Sequence, residues 1–185
     1  MYAGIDYETY YDKECSITHG LQNYINHEKF DAYMVSIYCE DNFAWVGHPK
    51  DAPWDRLEGV IALSHNRGFD QPVHEHLIRT GVMPPTHFAE WHCTADMSAY
   101  RGYPRSLKAS LKESLGLVMS KEVRDKMKGR QYEDLNKEDK MDLAKYALFD
   151  AKGCACLWKA EEAGWPTWER ELSQETTRMC WEGVP

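Results

Sequence analysis

No run of eighteen or more apolar residues occurs in the 185-residue chain, and no charged-then-apolar leader precedes the strand-like pattern that starts right after Met1. The first absence excludes an apolar membrane-spanning helix. Together they set the expectation of a soluble, cytoplasmic protein with no membrane partner. Basic residues are the scarcer charge, 22 Lys and Arg against 30 Asp and Glu, and the net charge of -8 argues against a general basic surface wrapped around nucleic acid. There is no internal repeat and no low-complexity tract. Familiar zinc spacings are also missing. His74-x-His76, His87, His92-Cys93 and Cys154-x-Cys156 match none of them, and residues two apart on a helix face nearly opposite sides. At 21.5 kDa the chain can bury one full core without staples, so its six scattered cysteines are expected as reduced thiols.

The basic residues that are present cluster. Nine of them fall between Arg101 and Arg130, against three acids, a local balance of +6 that leaves -14 for the rest. Such a segment on an acidic body suggests a phosphate-tracking strip beside a cation-hungry acidic site, although a solvated helical face produces the same pattern. Strand patterns cover residues 2–8, 32–39 and 43–46, the last two forming a hairpin about Asp41-Asn42, and the apolar run 60–63 reads as a buried strand. A helix is expected over 71–79, ended by Gly81 and Pro84-Pro85, and a further strand over 87–92. Ser106 caps a helix with Leu107, Leu111 and Leu115 on one side and Gly116 at its end. The longest helix runs from near Asn136 to about Glu162, Gly164 to Pro166 break it, and a last one spans about 169–181. Strands followed by helices imply an α/β fold, a central mixed β-sheet flanked by helices.

On the first strand, Asp6 and Glu8 are two residues apart and so project from one face, with Ile5 and Tyr7 on the other. Side by side, two carboxylates repel unless a positive charge lies between them. Asp70 follows the buried strand, where chains leaving a strand end commonly build a site. Asp150 lies four residues after Tyr146 on the long helix, which places both on one face. Four carboxylates and a phenol from three elements suit hard cations, Mg²⁺ or Mn²⁺, rather than Zn²⁺. Two such ions can clamp a phosphodiester, which points to hydrolysis of a nucleic-acid backbone.

Asp-x-Glu on a first strand, His65-Asn-x-x-Phe-Asp70 after a later one and Tyr146-x-x-x-Asp150 on a late helix resemble the three motifs of the DnaQ-like 3′–5′ exonucleases of ribonuclease H-like fold, in the subgroup with four acids and a tyrosine. The stretch from Trp91 to Leu117, with Pro104-Arg-Ser-Leu107 and Leu115-Gly-Leu117, is similar to the proofreading domain of phage-type family A DNA polymerases. The resemblance implies an exonuclease domain over 1–164 and a C-terminal helical segment over 165–185 like the start of a polymerase portion. It implies two divalent metal ions, with Asp6 bridging both, Glu8 and Asp150 on the ion that activates water, Asp70 on the second, and Tyr146 orienting the water. Thr9, His65, Asn66, Phe69, Arg105 and Lys108 become candidate contacts to a single-stranded or frayed DNA 3′ end, although His65 by itself reads as a packing histidine. A polymerase subunit or domain would be the protein partner. Two alternatives stand beside DNA proofreading: an RNA-trimming 3′–5′ exoribonuclease, since relatives with the same five residues trim RNA, and a non-catalytic binding module of a split polymerase.

Overall fold

The computed structural model describes residues 1–118 and 127–183. Lys121, Arg124 and Lys126 of the expected basic strip lie outside the described residues, as do the last two residues of the 165–185 segment. Five strands form one sheet: β1 (Tyr2–Glu8), β2 (Met34–Cys39), β3 (Ala44–Gly47), β4 (Ile61–Ser64) and β5 (Glu90–Cys93), in the order β3-β2-β1-β4-β5. β2 is antiparallel to both β1 and β3, whereas β4 and β5 run parallel to β1. The hairpin between β2 and β3 turns at Asn42, whose φ of 66° is one that asparagine tolerates better than most side chains. The expected strand pattern is therefore present and the sheet is mixed.

Six α-helices are described: α1 (Leu21–Ile25), α2 (Arg67–Arg79), α3 (Thr94–Tyr100), α4 (Leu107–Leu115), α5 (Lys137–Glu161) and α6 (Thr167–Glu182). Among the described residues no helix is long and apolar enough to cross a membrane. All six cysteines are free thiols.

Alternation along β1 sorts the two layers. Ala3, Ile5 and Tyr7 are buried in the larger core with Val73 and Leu77 of α2, while Gly4, Asp6 and Glu8 share the opposite face. α5 crosses that opposite face. A Cβ on Gly4 would sit 1.9 Å from the carbonyl oxygen of Ala151, so the missing side chain is what lets α5 touch the strand. One turn earlier, Ser36 Oγ donates to the Ala147 carbonyl at 2.7 Å, and Ser36 is the β2 residue paired with Asp6. Asn136 caps α5 by accepting the Asp139 amide at 2.8 Å. Gly153 in turn receives α4, since a Cβ there would meet Leu111 Cδ1 at 2.9 Å.

α2 begins at Arg67, four residues before the sequence expectation. Pro72 sits inside the helix, where it lacks the N–H that would bond the Gly68 carbonyl. That carbonyl instead accepts from Trp181 Nε1 of α6 at 3.4 Å. α6 also meets β5, with Gln174 Nε2 donating to the Trp91 carbonyl at 3.5 Å, and the preceding Trp165 is buried beside Trp158 and His92.

Candidate active site

Beyond Gly4, β1 outruns β4, which pairs with it only from Tyr2 to Gly4. The edge of β1 is thus open where Asp6, Tyr7 and Glu8 stand. Here the turn from β4 into α2 delivers Asp70, itself only 3% exposed, and its Oδ1 accepts the Tyr7 backbone amide at 3.2 Å. α5, seated on Gly4, brings Tyr146 and Asp150 to the face that carries Asp6 and Glu8. Asp6, Glu8, Asp70, Tyr146 and Asp150 line one cavity of about 510 Å³.

Three observations show that the acids share an electrostatic environment. Burial raises the Tyr146 phenol well above its ordinary value, Asp150, Glu8 and Asp6 raise it further, and its hydroxyl is hydrogen-bonded to Asp150. The buried Cys154 thiol is raised by burial first and then by Asp6, Asp150 and Asp70. Tyr7, buried, is raised by burial and by Asp70. At neutral pH the phenol of Tyr146 therefore keeps its proton.

Thr9, His65, Asn66, Phe69 and Lys108 line the same cavity. Arg105 does not: its guanidinium is held by Asp96 at 2.5 Å, while its backbone carbonyl accepts from His65 Nε2 at 2.6 Å. A carbonyl can only accept, so Nε2 carries the proton and Nδ1 accepts from the Thr94 hydroxyl at 2.9 Å. Burial lowers the His65 pKa to about 4, so it is neutral, as a packing histidine would be, although it also faces the cavity.

Other wall residues were not among the expected site residues. Tyr11, Ser16, Ile17 and Tyr24 come from the segment after β1, and Ser106 and Leu107 from the start of α4. Tyr24 stacks against Phe69 with ring centroids 6.2 Å apart. Its hydroxyl donates to the Tyr10 carbonyl at 2.6 Å, so at 2.7 Å it must accept the proton of Thr9 Oγ1. Ile17 is 48% exposed at the rim.

As they stand, no three acids, histidines or cysteines among the described residues converge closely enough to enclose a metal ion by themselves. The donor set nevertheless suits a hard divalent cation, because the cavity gathers carboxylates and phenols and its one imidazole has both nitrogens engaged.

No protein-family model matches the chain, and comparison with curated proteins finds no similar sequence. Solved structures do match. NrnC of Brucella melitensis is 20% identical, with a TM-score of 0.58 over 96% of this chain and 80% of that one. The same protein bound to pGG is 22% identical, with a TM-score of 0.57 over the same shares. A nuclease in its apo form is 20% identical, with a TM-score of 0.58 over 97% of this chain and 80% of that one. What is common to these chains at such identities is the fold, a ribonuclease H-like α/β sheet flanked by helices.

Proposed function

We propose that this chain is a metal-dependent 3′–5′ exonuclease that trims short single-stranded nucleic acid, with RNA as the first substrate to test. The observation that carries the reading is the gathering of Asp6, Glu8, Asp70, Tyr146 and Asp150, from three separate elements, around one cavity. Support comes from the fold shared with nucleases and from the pGG, a nucleic-acid oligomer, bound to one of them.

In the reaction a water oxygen attacks phosphorus and the P–O3′ bond breaks, releasing a nucleoside 5′-monophosphate and leaving a 3′-hydroxyl on the shortened strand. Two divalent ions, Mg²⁺ or Mn²⁺, held by Asp6, Glu8, Asp70 and Asp150, would supply an acidified water and positive charge for the leaving oxygen. The chain's own side chains do the rest. Tyr146 orients the water through its hydroxyl, a task that needs no ionisation. Phe69, backed by Tyr24, offers an aromatic face to a terminal base, and such stacking tolerates any base. Lys108, at the start of α4, lines the same cavity and would serve as a charge partner for a phosphate.

A DNA 3′ end is the second reading, favoured by the resemblance of Trp91 to Leu117 to polymerase proofreading domains. The deciding measurement is degradation of 5′-labelled RNA and DNA oligonucleotides of matched sequence, with Mg²⁺, with Mn²⁺ and with EDTA, beside Asp6→Ala. The expected result is a metal-dependent ladder shortening from the 3′ end of RNA and absent in the variant. Cleavage of DNA alone would move the substrate and keep the mechanism. No cleavage of either would leave a binding module and overturn the reading.

A further inference from the structure

The α4 wall of the cavity is tied to the C-terminal helix through one carboxylate. Ser173 Oγ of α6, buried, donates to Asp96 Oδ2 at 2.6 Å, and Arg105 Nη2 donates to Asp96 Oδ1 at 2.5 Å. The Arg105 carbonyl then accepts from His65 Nε2 at 2.6 Å, and Arg105 is followed at once by Ser106, Leu107 and Lys108, the three residues that α4 contributes to the cavity lining. Asp96 itself faces the cavity nowhere. It sits in the first turn of α3, which makes no side-chain cap of its own. Both of its oxygens are thus spent on elements outside its own helix.

We propose that Asp96 and Ser173 are positioning residues, holding the Arg105–Lys108 segment against His65 so that α6 buttresses the wall that grips substrate. The inference rests on the nuclease reading for its catalytic consequence and on the hydrogen-bond chain alone for its mechanical one. Arg105, placed by sequence resemblance among the substrate contacts, acts on this account through its neighbours: its side chain is the strap and its carbonyl the anchor. One lost charge-assisted hydrogen bond is of the size that changes an affinity about tenfold or more, and a bond that acts through a neighbouring segment passes on part of that.

The test compares Asp96→Ala, Ser173→Ala and Ser173→Thr with the wild type and with Ser114→Ala. The last removes the Ser114 bond to Glu161, 2.6 Å long, at the far end of α4 and so loosens the helix without touching the wall. Steady-state kinetics on an RNA trinucleotide, or on DNA if that is what the protein cleaves, are read beside amide exchange at Ala109 and Ser110, whose N–H groups bond Ser106. Asp96→Ala and Ser173→Ala should raise KM about fivefold to tenfold with kcat within about twofold, and should speed exchange at both amides. Ser173→Thr, which keeps the hydroxyl, should behave as the wild type, and Ser114→Ala should leave KM unchanged. Unchanged KM in Asp96→Ala, or the same KM shift in Ser114→Ala, overturns the proposal. If the wild type cleaves nothing, the nuclease reading falls, and exchange still decides the coupling: unaltered protection at Ala109 and Ser110 in Asp96→Ala overturns it.

Discussion

The backbone amide of Tyr7 donates to Asp70 Oδ1 at 3.2 Å, which joins the middle of the Asp6-Tyr-Glu8 run to the first turn of α2. Because β4 has already ended, this amide has no strand partner on that side, and a side chain from the next element takes the place of the missing ladder bond. The same carboxylate thus closes the sheet edge and lines the cavity. Its two duties separate by substitution. Asp70→Asn keeps a carbonyl oxygen for the amide, so the melting temperature should stay near that of the wild type while exonuclease activity falls by orders of magnitude. Asp70→Ala leaves a buried N–H without an acceptor and should cost a further 1–3 kcal/mol or so in chemical denaturation. Equal stability of the two variants would show that the amide does not need the carboxylate.

Gly4 sets how closely α5 approaches β1. With the Ala151 carbonyl oxygen 1.9 Å from the position of an added Cβ, Gly4→Ala has to push backbone aside, not a flexible side chain. The cost should be about 1–3 kcal/mol of stability. Activity should fall further than stability does, because the helix that moves carries Tyr146 and Asp150. Ser36→Ala, which removes the 2.7 Å bond to the Ala147 carbonyl and the longer 3.5 Å one to the Asp6 carbonyl but displaces no backbone, should be milder on both counts. Denaturation midpoints beside initial rates check the ordering, and a Gly4→Ala protein with normal kcat would show that α5 is not positioned by this contact.

Tyr146 keeps its proton because burial and three neighbouring carboxylates all oppose the phenolate. Removing the hydroxyl should therefore leave substrate and metal affinity almost unaltered and slow the chemical step, by roughly tenfold to a hundredfold for a group whose task is to aim a water. Single-turnover rates and Mn²⁺ titration of Tyr146→Phe separate the two quantities. A rate equal to that of the wild type would remove this tyrosine from the mechanism.

The parts of the site that lie within one element were readable in the sequence. Alternation put Asp6 and Glu8 on one face of β1, and a spacing of four put Tyr146 and Asp150 on one face of α5, because both periods are fixed by backbone geometry. Caps at Ser106 and Asn136 are local for the same reason. Tertiary pairing was not readable. Arg105 has the residue type of a phosphate contact, yet Asp96, nine positions away across a helix and a loop, holds it. α2 starts four residues before the expected position, and the Gly68 carbonyl that Pro72 leaves without its helical partner is taken up by Trp181 more than a hundred residues later. Tyr24 reaches the cavity from a five-residue helix with no amphipathic run long enough to register.

Acid should destabilise the fold in a defined window through its buried neutral histidines. His74 lies among Trp54, Phe88 and Trp91, is hydrogen-bonded through Nδ1 to the Tyr7 hydroxyl at 2.8 Å, and is lowered from 6.5 to about 4 by burial; His65 is lowered to about 4 for the same reason. Between these values the unfolded chain binds protons that the folded chain refuses, so stability falls as pH drops from about 6.5 toward 4. Above about 6.5 both states hold these rings neutral and the contribution is flat. Replacing His74 with Gln removes one of these groups, so the loss of melting temperature between pH 7 and pH 4.5 should shrink by roughly 5 °C, whatever the variant's absolute stability. A slope identical to that of the wild type would mean that His74 takes up its proton in the folded state as readily as in the unfolded one, and that the aromatic cage around it opens to water.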